Sequence, residues 1–163
     1  MKIQLGQPLP AFDLPATNYR GDKLQISNTS LGDRPFLLFV YPRDNTSGCT
    51  MEAEELRDIY VELRDLGVEI YGISRDSVRS HEKFIKSSEL PYTLIADEGG
   101  ATLHDWGLIY QAKMYGKPVT KTSRVSAFVE NGKVIQLWDK VVPSQHAAEV
   151  LVWVKEWAQQ KEK

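Results

Sequence analysis

The chain has 163 residues, of which 42% are hydrophobic and 26% charged, and its formal net charge is −2 at pH 7. This composition is typical of a soluble globular protein, and the length suits a single domain over residues 1–163. The near-neutral balance excludes a strong field toward nucleic acid or a membrane surface, and no segment approaches the roughly 20 apolar residues of a membrane span.

The first third of the chain predicts a hairpin, a strand and a helix. Residues 1–34 are rich in proline and glycine with short apolar stretches, which indicates turns and a β-hairpin. Residues 35–41, PFLLFVY, are apolar throughout and predict a central strand covered on both faces. Apolar residues at helical spacing then predict a helix over about 47–66.

Strands and helices alternate along the rest of the chain. The predicted elements are strands over 68–74 and 92–97, helices over 77–88 and 144–160, and a helical turn over 99–105. Residues 107–122 are predicted to be a loop, and residues 124–130 and 133–139 flank Asn131-Gly132, a type I′ hairpin signal. This order resembles a thioredoxin-like α/β fold with a mixed central sheet, helices on both faces and an N-terminal hairpin extension.

The only cysteine of the chain, Cys49, falls in the first turn of the predicted 47–66 helix. Thr46 and Ser47 are the candidate N-caps of that helix. We expect the amides of Gly48, Cys49 and Thr50 to lack acceptors within the helix and to face an anion such as a thiolate. Position alone leaves a second interpretation open, in which Cys49 is a small apolar core residue.

A sequence signature surrounds this cysteine. Residues 42–49 match the peroxiredoxin active-site pattern Pro-x-x-x-Thr-x-x-Cys. The flanks YPRDN and GCTMEAEELRD, together with GQPLPAFDLPA, LPYTLIADE and SRVSAFVENGKV, resemble the bacterioferritin comigratory protein (PrxQ) branch over nearly the whole chain. The resemblance implies a thiol-dependent peroxidase of hydrogen peroxide and small organic hydroperoxides, a monomer or weak dimer that needs no metal, haem or flavin.

The resemblance also gives roles to four side chains. Cys49 is the nucleophile that attacks a peroxide oxygen, and Arg124, just ahead of a late strand, holds the thiolate and orients the peroxide. The Thr46 hydroxyl bonds both the thiolate and the peroxide, and Pro42 shields the sulfur. From the residues alone, an exposed strand-start residue is the preferred interpretation of Arg124. Thr46 can also be a plain helix cap and Pro42 a strand terminator.

Two further groups complete the implied substrate-binding set. The amides of Gly48 and Cys49 hold the peroxide oxygens. Glu52, three residues past the cysteine, orients the arginine; its alternative interpretation is an acidic residue that merely favours the start of the helix.

Acidity alone does not explain a fast thiol peroxidase. A free thiol of pKa near 8.5 is only ~3% thiolate at pH 7, and lowering that pKa to ~6 raises the thiolate fraction roughly 30-fold. Because nucleophilicity falls with a Brønsted slope of about 0.4–0.5, the net gain is only about twofold. Most of the acceleration must come from positioning the O–O bond and stabilising charge on the departing oxygen.

The chain departs from the family pattern at two positions. Many members of the branch carry a resolving cysteine five residues after the nucleophile or on the next helix, but Glu54 stands at the first place and residues 77–88 contain no cysteine. We therefore predict a one-cysteine cycle in which an external thiol (thioredoxin, glutaredoxin or a small thiol) attacks the Cys49 sulfenic acid. The second departure is Ser47, where the branch usually has proline.

The remaining candidates are weaker. His81, His104 and His146 are scattered, without metal-ligand spacing, and are predicted to be surface or helix-face residues. An unpaired cysteine is typical of a reducing compartment, which predicts a cytoplasmic location. Two other functions stay open, a redox sensor that changes a partner contact and a non-catalytic thioredoxin-like binding protein.

Overall fold

The computed structural model describes residues 1–162. In that range the strands are β1 (Asp13–Thr17), β2 (Lys23–Ser27), β3 (Phe36–Val40), β4 (Glu69–Ser74), β5 (Thr93–Ala96), β6 (Ile109–Met114), β7 (Lys117–Thr122), β8 (Val125–Glu130) and β9 (Lys133–Trp138). The helices are α1 (Asn28–Leu31), α2 (Ser47–Asp58), α3 (Tyr60–Asp65), α4 (Val78–Ser88), α5 (Ala101–Asp105) and α6 (His146–Lys161). None of these helices is long and apolar enough to cross a bilayer.

Seven of the described strands form one mixed sheet in the order β2-β1-β5-β4-β3-β8-β9. Strands β3, β4 and β5 run parallel, whereas β1, β2, β8 and β9 pair antiparallel with their neighbours. The central strand β3 is buried along its whole length. The predicted thioredoxin-like α/β fold with a mixed sheet is confirmed.

The apolar core lies on both faces of the sheet, because alternate β3 side chains enter two separate clusters. Leu37 and Phe39 pack with residues of α2, α4 and α6 on one face. Phe36, Leu38 and Val40 pack on the other face with α1, α5 and the N-terminal segment. Helices therefore cover both sides, as the continuous apolar run predicted.

Two of the predicted turns and strands have the expected geometry. The N-terminal hairpin is formed by β1 and β2 in antiparallel register. Asn131 and Gly132 join β8 to β9 with φ of 54° and 73°, as a type I′ turn requires. Their flanking residues Glu130 and Lys133 pair across the hairpin.

Two predictions of secondary structure are wrong. Residues 107–122, predicted to be a loop, contain the antiparallel strands β6 and β7, which form a separate two-stranded sheet. Most of its side chains are exposed on both faces, so the sequence shows no apolar alternation there. The single helix predicted over 47–66 is interrupted at Ile59, whose φ and ψ are −102° and 1°. Ile59 and its bulky neighbours Tyr60 and Val61 have low helix propensity.

Candidate active site

The topology brings Cys49 and Arg124 to one end of the sheet. Cys49 lies in the first turn of α2, which follows the carboxyl end of β3, and it is 1% exposed. Arg124 immediately precedes β8, the antiparallel neighbour of β3, and Val125 pairs with Val40. Antiparallel pairing therefore sets the start of β8 beside the end of β3, and the two residues meet although 75 positions separate them.

The guanidinium of Arg124 contacts both the thiol and a carboxylate. Its Nη2 lies 3.4 Å from Cys49 Sγ and its Nη1 donates to Glu52 Oε1 at 2.7 Å. The side chain of Arg124 is 19% exposed and that of Glu52 is wholly buried. Burial of the Arg124 guanidinium lowers its pKa, but the charges of Cys49 and Glu52 outweigh this effect, so the pKa is raised overall. The planar fork thus holds two acceptors at fixed positions.

Glu52 is the second charged group of this cluster. Burial raises its pKa to about 7, against the opposing effect of the hydrogen bond and charge of Arg124. Its second oxygen, Oε2, is buried and has no hydrogen-bond partner among the described residues. The carboxyl group therefore titrates near neutral pH while it stays within hydrogen-bond distance of the arginine.

Thr46 and Pro42 lie in the loop that leads into α2. Thr46 occupies the N-cap position, but its hydroxyl donates to the carbonyl of Arg43 at 2.9 Å and caps no helical amide. The predicted side-chain cap is therefore wrong in this structure. Pro42 is half-buried directly after Tyr41, the last wholly buried residue of the β3 segment.

The free amides at the start of α2 differ by one residue from those predicted. The amide of Thr50 donates to the carbonyl of Thr46 at 2.8 Å, so it has an acceptor within the helix. The amides of Ser47, Gly48 and Cys49 precede this first intrahelical bond and are the ones left without a helical acceptor. The lack of a helical acceptor therefore holds for Gly48 and Cys49, whereas Thr50 has one.

Gly48 also lies against the arginine. A methyl group added at its Cα would sit 3.4 Å from Arg124 Nη2 and 3.7 Å from Pro143 Cγ. The loop that contains Pro143 joins β9 to α6 and so covers the start of α2. A glycine at this position leaves the guanidinium room beside the backbone of the helix.

Two of the three histidines that the sequence predicts to be surface or helix-face residues are buried on helices. His81 is 0% exposed and bonds Asp44, and His146 is 1% exposed and lies 2.7 Å from Ser126 Oγ. Only His104 is exposed, as predicted. A signal for His81 was available, because it falls at helical spacing from Phe84 and Ile85 on the apolar stripe of α4.

Burial, with a smaller effect of the Arg124 charge, lowers the pKa of His146 to about 4. The unfolded chain takes up this proton near pH 6.5, so the folded state loses stability as the pH falls from 6.5 to 4, by about 3 kcal/mol. We predict that His146→Gln, which keeps a donor for Ser126, removes this loss. Chemical denaturation at several pH values measures the free energy of unfolding of both proteins. The difference between variant and parent is expected to increase as the pH falls. Equal pH profiles would contradict the prediction, and His104→Gln is the exposed control.

Glu52 has the opposite dependence and partly masks the effect of His146 in the parent protein. Its folded pKa of about 7 is higher than its ordinary value of 4.5, so its contribution is present below pH 4.5 and lost as the pH rises through 7. The comparison between variant and parent isolates the histidine, because both proteins retain Glu52.

Comparisons with known proteins identify the family of this chain. Residues 5–137 match the AhpC/TSA family. The peroxiredoxin Bcp of Xanthomonas campestris is 32% identical over 154 residues, which cover 94% of this chain and 95% of that protein. The chloroplastic peroxiredoxin Q of Arabidopsis thaliana is 33% identical over 156 residues, which cover 94% of this chain and 68% of that protein.

Solved structures give the same result. The Xanthomonas campestris peroxiredoxin Q superimposes with a TM-score of 0.81 at 31% identity, covering 97% of this chain and 99% of that one. Another structure, of the bacterioferritin comigratory protein from the same organism, was studied for its alkyl peroxide reduction activity; it has the same TM-score and identity and covers 96% and 99% of the two chains. This chain therefore belongs to the AhpC/TSA family and is a peroxiredoxin of the Bcp/peroxiredoxin Q branch, a thiol-dependent peroxidase with a single cysteine.

Proposed function

We propose that Cys49 is the peroxidatic nucleophile for hydrogen peroxide and small organic hydroperoxides. The thiolate sulfur forms a bond to one peroxide oxygen while the O–O bond breaks, and the departing oxygen leaves as hydroxide or alkoxide and takes a proton from solvent. The products are the Cys49 sulfenic acid and water or an alcohol. The observation that carries this proposal is the 3.4 Å contact between Arg124 Nη2 and Cys49 Sγ.

Arg124 and the helix start supply the charge stabilisation that this step needs. The guanidinium, held by Glu52, favours the thiolate and offers donors to the peroxide oxygens as negative charge moves onto the leaving oxygen. The amides of Gly48 and Cys49 add further donors at the same place, because they have no acceptors within the helix. Donors already in place require little rearrangement during the reaction.

Thr46 and Pro42 complete the proposed site. The Thr46 hydroxyl proton is directed to the Arg43 carbonyl, so its oxygen has lone pairs free to accept a hydrogen bond from the peroxide. In this arrangement the Thr46 hydroxyl does not donate to the thiolate. Of the two bonds that the resemblance implies, only the bond to the peroxide is therefore proposed. Pro42 has no N–H and presents an apolar ring, a suitable neighbour for a sulfur that must be shielded from water.

We propose that an external thiol resolves the sulfenic acid. Cys49 is the only cysteine of the chain, and Glu54 stands where a resolving cysteine is found in other members of the branch. An attacking thiol forms a mixed disulfide with Cys49 and releases water, and a second thiol then restores the thiolate. Thioredoxin, glutaredoxin and small thiols each supply this chemistry. We propose a cytoplasmic location, because an unpaired cysteine is typical of a reducing compartment, and a monomer or weak dimer, as the resemblance implies.

A single experiment tests the peroxidatic role and the cycle together. Mass spectrometry after one equivalent of hydrogen peroxide is expected to show one added oxygen on Cys49, formed far faster than on free cysteine. Added thiols are then expected to give an intermolecular disulfide at Cys49 and repeated turnover, with Cys49→Ser as the background. Oxidation no faster than that of free cysteine overturns the peroxidatic role, and fast oxidation without turnover by any thiol indicates a redox sensor instead.

A further inference from the structure

A buried polar network joins the active-site loop to α4 and β5. Its central pair is His81 of α4 and Asp44 of the loop, whose side chains are 0% and 2% exposed. The His81 Nδ1 atom lies 2.7 Å from Asp44 Oδ2. Among the described residues, none of the proposed catalytic side chains forms a hydrogen bond with this pair, so the proposed reaction does not account for it.

A proton lies between these two side chains. His81 Nε2 is 2.9 Å from the carbonyl oxygen of Ile95, which can only accept, so Nε2 carries a hydrogen. Without a second proton, the lone pair of Nδ1 would face a carboxylate oxygen at 2.7 Å. The ring therefore donates at both nitrogens, or the carboxyl group donates to the ring, and in either form one proton joins His81 to Asp44.

The carboxylate of Asp44 accepts two further hydrogen bonds. Tyr41 Oη donates to Oδ1 at 2.6 Å and Ser80 Oγ donates to Oδ2 at 2.8 Å. Burial, with the charge of Asp44, raises the pKa of Tyr41 well above its usual value, which keeps the phenol a donor. The backbone amide of Asp44 donates to Asp76 Oδ2 at 2.8 Å. Each polar atom of the pair is thus engaged within the protein, and the nearby Asp76 carboxylate is engaged with backbone and hydroxyl donors.

This network fixes a strained loop. Asn45, between Asp44 and Thr46, has φ of 61°, a left-handed conformation that non-glycine residues adopt at a cost. Such a conformation persists where surrounding contacts hold it, and the hydrogen bonds of Asp44 are the buried contacts of this loop. The next residues are Thr46, which ends the loop, and the first turn of α2 that carries Cys49.

We propose that His81 is a positioning residue for the peroxidase reaction. By sharing a proton with Asp44, it fixes residues 42–46 against β5 and α4, and so sets Thr46 and the free amides of α2 at the distance from Arg124 that the peroxide requires. His81 contacts neither the sulfur nor the peroxide and acts through the loop. Misplacement of reacting groups by about 1 Å can cost about 10²-fold in rate. This inference rests on the proposed role of Cys49.

Two substitutions of His81 separate positioning from general stabilisation. An asparagine places its amide near the position of Nδ1, so His81→Asn keeps a donor for Asp44. A glutamine reaches the position of Nε2, so His81→Gln keeps a donor for Ile95 and loses the one for Asp44. Both variants lose one buried hydrogen bond, so both are expected to lower the melting temperature.

Stopped-flow competition for hydrogen peroxide gives the rate of Cys49 oxidation in each variant. We expect His81→Gln to lose about tenfold in this rate, His81→Asn to stay within about threefold of the parent, and the exposed control His104→Gln to be unchanged. Equal rates in both His81 variants, whether parental or reduced alike, overturn the positioning role. A parent protein that reacts slowly would instead contradict the proposed function of Cys49.

The proton that His81 shares with Asp44 can be observed directly in the parent protein, so this test does not depend on the folding of any variant. Side-chain nitrogen NMR of the parent protein at pH 7 is expected to show His81 with protons on both ring nitrogens, or a proton exchanging between Nδ1 and Asp44. A His81 ring with a plain lone pair on Nδ1 overturns the inference, because nothing then joins the ring to the loop.

Discussion

Replacing Arg124 by alanine is expected to lower the second-order rate of Cys49 oxidation by hydrogen peroxide about 10²–10³-fold. The reason is that one guanidinium contacts the sulfur at 3.4 Å and is held at 2.7 Å by Glu52, so alanine removes the donors aimed at the developing charge. Loss of one such donor typically costs 10²–10³-fold in enzymes that stabilise an oxyanion. Competition with a haem peroxidase for limiting hydrogen peroxide measures the rate.

A second measurement on Arg124→Ala separates a loss of thiolate from a loss of peroxide positioning. The rate of alkylation by iodoacetamide reports how much thiolate is present, whereas the peroxide rate also depends on how the O–O bond is held. Because thiol acidity gives a net gain of only about twofold, we expect the alkylation rate to fall far less than the peroxide rate.

Arg124→Lys tests the geometry of the fork. A lysine keeps the positive charge but offers one nitrogen, which cannot contact Cys49 and Glu52 from the two positions that Nη2 and Nη1 occupy. We expect a loss of about 10-fold to 10²-fold. The matched control is Arg79→Ala, an exposed arginine of α4. If Arg124→Ala reacts with peroxide as fast as the parent, Arg124 has no part in the reactivity of Cys49, which is what a non-catalytic scaffold predicts.

The sequence predicted the main parts of this site because they form a local signature. Pro42, Thr46 and Cys49 lie within eight residues, and the strand, loop and helix that hold them follow from apolar patterning. Arg124 and Glu52 lie 72 positions apart, and no periodicity relates them. Their roles came from resemblance to a family, and the pairing of β3 with β8 supplies the physical reason that they meet.

The partners of the buried histidines could not be predicted, for a different reason. Hydropathy scales treat histidine as polar, and the burial of a histidine depends on partners that lie far away in the chain. Asp44 is 37 positions from His81, and Ser126 is 20 positions from His146. Only the fold brings each pair together, so the apolar stripe of α4 was the single local sign that His81 faces inward. The β6–β7 hairpin was missed because it has no buried face to produce alternation.

Glu52→Ala is expected to slow Cys49 oxidation by about 10²-fold, nearly as much as loss of the arginine itself. The wholly buried carboxyl group is the hydrogen-bond partner that holds Nη1 of Arg124. Without it the guanidinium can turn toward solvent, and its other nitrogen moves away from the sulfur. A misplacement of this size is enough for such a loss.

Glu52→Gln is the informative partner of this variant, because its amide oxygen can accept the same hydrogen bond without a charge. Burial raises the pKa of Glu52 to about 7, so in the parent protein the carboxyl group is protonated below pH 7 and ionised above it. Above pH 7 its negative charge offsets that of Arg124 near the thiolate. We expect the glutamine variant to stay within about threefold of the parent rate at pH 6.

The pH dependence then distinguishes position from charge. The parent rate, corrected for thiolate fraction by alkylation, is expected to change across pH 7 as Glu52 ionises, and this change is expected to vanish in Glu52→Gln. If Glu52→Gln is as slow as Glu52→Ala at every pH, the negative charge of the carboxylate is what the reaction needs. If both variants match the parent, the arginine holds its position without Glu52.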